Sequence, residues 1–204
     1  MEIYQKKVTQ FNEAFQKINK RYNSISILRL LSIFISLFSL FYYIKTNEIL
    51  YVVFAFLSFV GFILLMRIHS KLSFKKQLTA ALLKINQNEI LFLKREKFPF
   101  ENGIEFNDFH HPYAYDLDIF GDYSLFQNLN RTATFIGKKT LANQLLTLNS
   151  NEEIIENQEA VNELKSKIDW RQEFLALAIV SHDNKESYES LIHWNSNQNN
   201  SLPK

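Results

Sequence analysis

The sequence predicts a mainly α-helical chain: a transmembrane helical hairpin extended by a cytoplasmic antiparallel two-helix coil, then a small α-helical domain with a short strand at its start. Three observations carry that prediction. Glycine (4) and proline (3) are scarce among the 204 residues, which disfavours a turn-rich sheet protein. Two uninterrupted apolar runs lie side by side, residues 27–44 and 49–66. Apolar residues recur at alternating spacings of four and three on both sides of those runs.

Composition narrows the chemistry. A net charge of +2 is too small to argue for nucleic acid by itself. With no cysteine, the chain has no disulfide, thiol nucleophile or thiolate metal site. The mean hydropathy of −0.16 averages a strongly apolar stretch, residues 27–68, with a polar remainder.

Tyr4, Val8, Phe11, Phe15, Ile18, Tyr22 and Ile25 form the first stripe, an unbroken heptad seam. Lys6, Lys7, Glu13, Lys17, Lys20 and Arg21 lie off it. Such a helix packs most simply on its own chain. A homodimeric coiled coil and a basic membrane-surface helix are the sharper alternatives.

The runs Ile27–Ile44 and Ile49–Met66 have 18 residues each; the first holds one charge, Arg29, and the second none. A hydrocarbon core of ~30 Å needs ~20 helical residues, so each run spans once its flanks snorkel. Lys45-Thr-Asn-Glu48 makes the tight link. Basic residues flank the outer ends: Lys6, Lys7, Lys17, Lys20 and Arg21 before the first run, with Arg29 at its edge, and Arg67, Lys71, Lys75 and Lys76 after the second, against Lys45 alone at the turn. The expected location is therefore the cell (inner) membrane, spanned twice, with both termini cytoplasmic and the lipid bilayer as partner. The stretch of about 26 residues before the first run does not suit a cleaved signal peptide. Ser32, Ser36 and Ser39 on one span, and Ala55, Ser58 and Gly61 on the other, offer a close-packing face. Neither span holds a carboxylate or histidine, so a proton relay lacks a candidate.

Beyond the second span the seam returns as Phe74, Leu78, Ala81, Ile85, Asn88 and Phe92. Folding at Thr46-Asn47 brings this stretch beside residues 1–20, so residues 1–97 form one long hairpin. Each arm reaches about 65 Å at ~1.5 Å per residue. Asn88 on the seam would set register. Lys94, Arg95 and Lys97 read as a solvated face, with anionic lipid or nucleic acid as the alternative partner, and Phe98-Pro-Phe-Glu-Asn-Gly103 as the turn that ends the helix.

Residues 98–115 read as a linker. Asp108, His110, His111, Asp116, Asp118 and Asp122 make an acidic and histidine cluster, but none of its spacings matches a metal-ligand motif. His111, before Pro112, is expected to bond within a turn. No metal or cofactor site is assigned.

Residues 116–194 form the helical domain. Asp116-Leu-Asp118-Ile alternates like a short strand, Gly121 turns the chain, and Ser124 caps a helix with Leu125, Phe126 and Leu129 inward. A helix over Thr134–Leu148 carries Ile136, Leu141, Leu145 and Leu148. Gly137-Lys-Lys-Thr140 lacks the rest of a phosphate loop. Ser150-x-x-Glu153 is a capping box. Asp169 opens a helix with Trp170, Phe174, Leu177 and Ala178 inward, and Asp183-x-x-Glu186 caps another. Residues 195–204, rich in Asn and Ser, are expected to be a disordered tail.

The run DLDIFGDYSLFQNLNRTATFIGKKTLANQLL, with Glu159-Ala-Val161 and Asp169-Trp-Arg171-Gln-Glu-Phe174 after it, resembles the core (lever and clamp) region of the MutS family of DNA mismatch-repair ATPases. The specific positions are Leu117, Phe120, Gly121, Ser124, Leu125, Phe126, Leu129, Arg131, Thr132 and Gly137. The resemblance covers roughly Tyr113–Ala178. It implies an N-terminal anchor and core piece of a MutS-like, ATP-dependent DNA-binding protein. In that family a C-terminal ATPase moves long lever helices that hold DNA. These 204 residues contain no such ATPase, so ATP and Mg belong to the part not present here, DNA is a partner of the full-length protein, and this chain alone is not expected to hydrolyse ATP. Phe11-Asn-Glu13 matches the family's Phe-x-Glu reading element by chance, since Phe11 is a seam position. The alternative is a stand-alone membrane scaffold that homodimerises through its helical seams.

Overall fold

A computed structural model describes residues 1–198; the rest of the predicted tail lies outside the described residues. Two units are distinct: residues 6–83, and residues 1–5 together with the chain from Lys84 onward. Among the described residues there are seven α-helices, one 3-10 turn and no β-strand.

In the first unit, α1 (Glu2–Thr46) and α2 (Ile49–Leu93) run antiparallel, reversed over Asn47 and Glu48. Asn47 takes a left-handed φ of 56°, which asparagine tolerates better than most residues. Pairs then step outward symmetrically. Tyr42 meets Tyr51 (ring centroids 5.8 Å). Ser36 Oγ donates to Ala55 O (3.1 Å), and Ser58 Oγ donates to Ser32 O (2.6 Å). Farther out, Tyr22 meets His69 at 4.3 Å, and the Lys76 ammonium lies 4.5 Å from the Tyr22 ring centre. Small hydroxyl residues let the backbones approach, and both serine hydroxyls donate across the pair to main-chain carbonyls.

Both helices are long and apolar enough to span a membrane, with only 11% and 6% of the apolar windows buried. A core helix of a water-soluble protein hides such a surface. The α1 seam from Tyr4 to Ile25 is half-buried at every position and continues through Arg29, Ser32, Ser36, Ser39 and Tyr43. On α2 the expected close-packing residues Ala55 and Ser58 face Ser36 and Ser32 of α1. Tyr51, Ala55, Ser58, His69 and Lys76 meet α1, whereas Phe74 is 52% exposed. Phe74 alone leaves the expected seam: Ala81 and Ile85 are buried and Leu78, Asn88 and Phe92 half-buried.

The second unit begins inside α2, at Lys84. It adds a 3-10 turn (Ile104–Phe106), α3 (Leu125–Leu129), α4 (Phe135–Leu146), α5 (Asn151–Lys165), α6 (Ile168–Val180) and α7 (Lys185–Gln198). Its core gathers Ala114, Ile119, Phe120, Phe126 and Ala142, flanked by Phe106, Tyr113, Leu141, Leu145 and Leu146. Residues 98–115 are therefore wall material rather than a bare linker.

The expected strand at Asp116–Ile119 is a series of turns. Leu117, Asp118 and Ile119 donate their N–H groups back to Tyr113, Tyr115 and Ala114, leaving none for a ladder. Leu117 is 63% exposed while Ile119 is buried, so the alternation has no sheet face behind it. In α4, Leu148 falls beyond the last residue and is 92% exposed. The α6 face differs from the expected one: Trp170, Phe174 and Leu177 are exposed, Ala178 is half-buried as expected, and Gln172 and Ala176 are buried. The tail expected from Asn195 is helical through Gln198.

Candidate functional site

The predicted motif residues converge on a compact turn–helix module. Phe126 is fully buried at its centre. Gly103, at φ +67°, lets the chain pass over that ring; a Cβ there would come within 2.6 Å of Phe126 Cδ1. Gly121, at φ +108°, donates its N–H to Asn102 O, tying the turn to the segment before it. Ser124 Oγ accepts from Gln127 N and starts α3 as expected. Gln127 points inward, and its Nε2 donates to Phe100 O. Asn130 donates to Glu101 O while its Oδ1 accepts from the Thr132 N–H and hydroxyl. Leu125 and Leu129, expected inward, are 44% and 51% exposed, because five residues of helix present only one face to the core.

Arg131 is the node. Its guanidinium makes a two-pronged pair with Glu89 on α2, Nε to Oε1 at 2.5 Å and Nη2 to Oε2 at 3.2 Å. Nη1 donates to the Asn128 and Asn130 carbonyls. The plane lies 3.5 Å from the Phe100 ring centre and 4.7 Å from that of Phe92. Such an arrangement suits arginine and no other side chain. Nearby, Asn86 on α2 and Gln172 on α6 exchange two buried amide hydrogen bonds, at 3.1 and 2.9 Å. Glu89, Asn86 and Gln172 were not legible in the sequence, because each is polar on a stripe that reads as apolar or solvated.

Gly137 sits in the first turn of α4, where Thr134 Oγ1 accepts from its N–H. Asp183 Oδ2 accepts from Phe135 N at 2.9 Å. A carboxylate of this chain thus occupies the helix end that a phosphate would need. Asp183 was expected to cap α7, but Asn184 does so, accepting from Ser187 N. The acidic and histidine cluster is dispersed. His111 Nδ1 accepts from Ala114 N inside its turn and Nε2 bonds Leu146 O; Asp108 accepts from His110 N, and Asp122 from Asn102.

An open apolar groove of about 450 Å³ runs beside this node, lined by Ile85, Thr132, Leu164, Trp170, Phe174, Leu175 and Ala178. Glu89 and Arg131 mark one part of its wall and Arg171 another. Trp170 and Phe174 stack at 5.4 Å and 10° while remaining half in solvent. α5 has no buried residue at all, and exposes Ile154, Ile155 and Val161. The groove and the outer face of α5 are thus open apolar surfaces among the described residues.

The fold and its grooves define a class: a mainly helical chain whose paired apolar helices can span a membrane and which bears a helical body. The chain matches no protein-family model, no curated protein and no solved structure.

Proposed function

We propose that this chain is the membrane anchor and core-domain piece of a MutS-like, ATP-dependent DNA-binding protein. The hairpin spans the cell (inner) membrane with both termini in the cytoplasm. The helical body serves as the base on which lever helices move, and ATP and Mg act on an ATPase domain outside these 204 residues. The observation that carries the reading is the motif run itself. Phe120, Gly121, Ser124, Phe126 and Arg131 each fill the core or bind backbone in one module, and Thr132 bonds the Asn130 side chain within it. The uncovered α5 and the groove beside α6 supply further surface on which such levers would pack.

The experiment is the mass of the native protein, detected in source-cell membranes with an antibody against residues 104–194. A band tens of kilodaltons above 24.2 kDa supports the reading. A band at 24.2 kDa sinks it and favours the second one, a membrane scaffold that homodimerises. One observation supports that alternative: a capped 15-residue helix with no buried residue gains little from its own chain, so another surface is expected to cover it.

A further inference from the structure

The cations of the hairpin are distributed very unevenly. Residues 6–83 carry eleven Lys or Arg against two carboxylates, Glu13 and Glu48. Six of the cations, Lys17, Lys20, Arg21, Arg67, Lys71 and Lys75, lie just outside the apolar runs and are exposed. No ion pair joins any of the six to a carboxylate among the described residues. The hairpin register puts the two groups at the same level. Tyr22 meets His69, and the Lys76 ammonium lies over both the Tyr22 ring and, at 6.0 Å, the Phe15 ring. These contacts bracket residues 17–21 on α1 and 71–75 on α2.

We infer that this collar is a binding surface for anionic phospholipid headgroups. The inference rests on the membrane-spanning reading of the two runs and is independent of the MutS-like one. Arg67 abuts the end of the second run, and Arg21 lies roughly 9 Å from the first at ~1.5 Å per residue. Lys17 and Lys75 lie about 15 Å out on the same scale. Flexible stems bring the nearer ammonium and guanidinium groups into the headgroup layer. The outer ones stay within reach of a surface potential that decays over ~8 Å. The Lys76 stem, held on two aromatic rings, keeps the helix pair together at that level. Zwitterionic headgroups neutralise such a collar poorly, whereas anionic ones match it charge for charge.

The test uses the full chain in phosphatidylcholine vesicles doped with spin-labelled phosphatidylglycerol or spin-labelled phosphatidylcholine. The fraction of motionally restricted label is read for each. Phosphatidylglycerol should be enriched at the protein about five-fold, the factor one engaged basic residue contributes near an anionic surface. The preference should fall toward one in 1 M NaCl. It should also disappear when all six collar residues are changed to Gln, and persist in K94Q/R95Q/K97Q. Equal enrichment of the two lipids in the unmodified chain, or a preference untouched by salt, overturns the inference even if the six-Gln variant fails to insert. A chain that alkaline carbonate strips from the vesicles overturns the spanning reading beneath it.

Discussion

Phe126 and Arg131 show how single side chains hold the helical body. Phe126 has no exposed surface, so Phe126→Ala should cost ~3–5 kcal/mol, read as a lower unfolding midpoint of the chain in detergent. Gly103→Ala should be destabilising by roughly 1–3 kcal/mol, since it adds a left-handed strain to a clash with that ring. Arg131→Ala strands Glu89, whose side chain is only 15% exposed, and should cost about 2–3 kcal/mol. Lysine at 131 should recover little of this, because an ammonium can neither fork to Glu89 nor lie flat on Phe100. A double-mutant cycle with Glu89→Gln measures the coupling; additive losses would contradict the node.

Helices carry the next set of expectations. α5 has a complete capping box, Ser150 with Glu153, and no buried residue. Ser150→Ala should therefore cost ~1 kcal/mol locally, seen as faster hydrogen exchange over its first turns with little change in global stability. Lys167 donates a hydrogen bond to Glu163 and holds its carboxyl below the usual range. That contribution is present above the ordinary carboxylate pKa and is lost as pH falls through the lowered one, so the end of α5 should fray in acid. Val161→Asp should barely alter the unfolding midpoint, since Val161 is 66% exposed. In the hairpin, Ser36→Ala removes one interhelical bond at a cost of about 0.6 kcal/mol, whereas Ser58→Leu should force the backbones apart and lower the hairpin's melting temperature far more.

At the scale of the molecule, the chain has no cysteine, so single introduced cysteines report topology cleanly. In intact cells, an impermeant maleimide should label Asn47→Cys at the hairpin turn and leave Asn23→Cys untouched. Labelling of Asn23→Cys alone would reverse the orientation. The mass of the native protein decides between a piece of a larger ATPase and a scaffold that stands alone. DNA affinity that falls steeply with salt would add to the first reading; concentration-dependent dimerisation without DNA binding would add to the second.

Long-period features were legible from sequence alone. The two apolar runs, their tight turn, the α1 seam, the Ser124 cap and the Ser150 box all depend on neighbours within a few residues, where spacing and side-chain chemistry suffice. What tertiary structure decided was which face meets what. Of the expected α2 stripe, Ala81 and Ile85 are buried while Phe74 faces outward. Asp116–Ile119 coiled into turns because its N–H groups found local carbonyls and no strand lay beside it. Gln172 went inward because Asn86, 86 residues away, offered a matched amide, while Trp170 stacks on Phe174 at the edge of an open groove. Periodicity sets where apolar side chains recur along a helix, and only the partners gathered around it determine which of them leave the solvent.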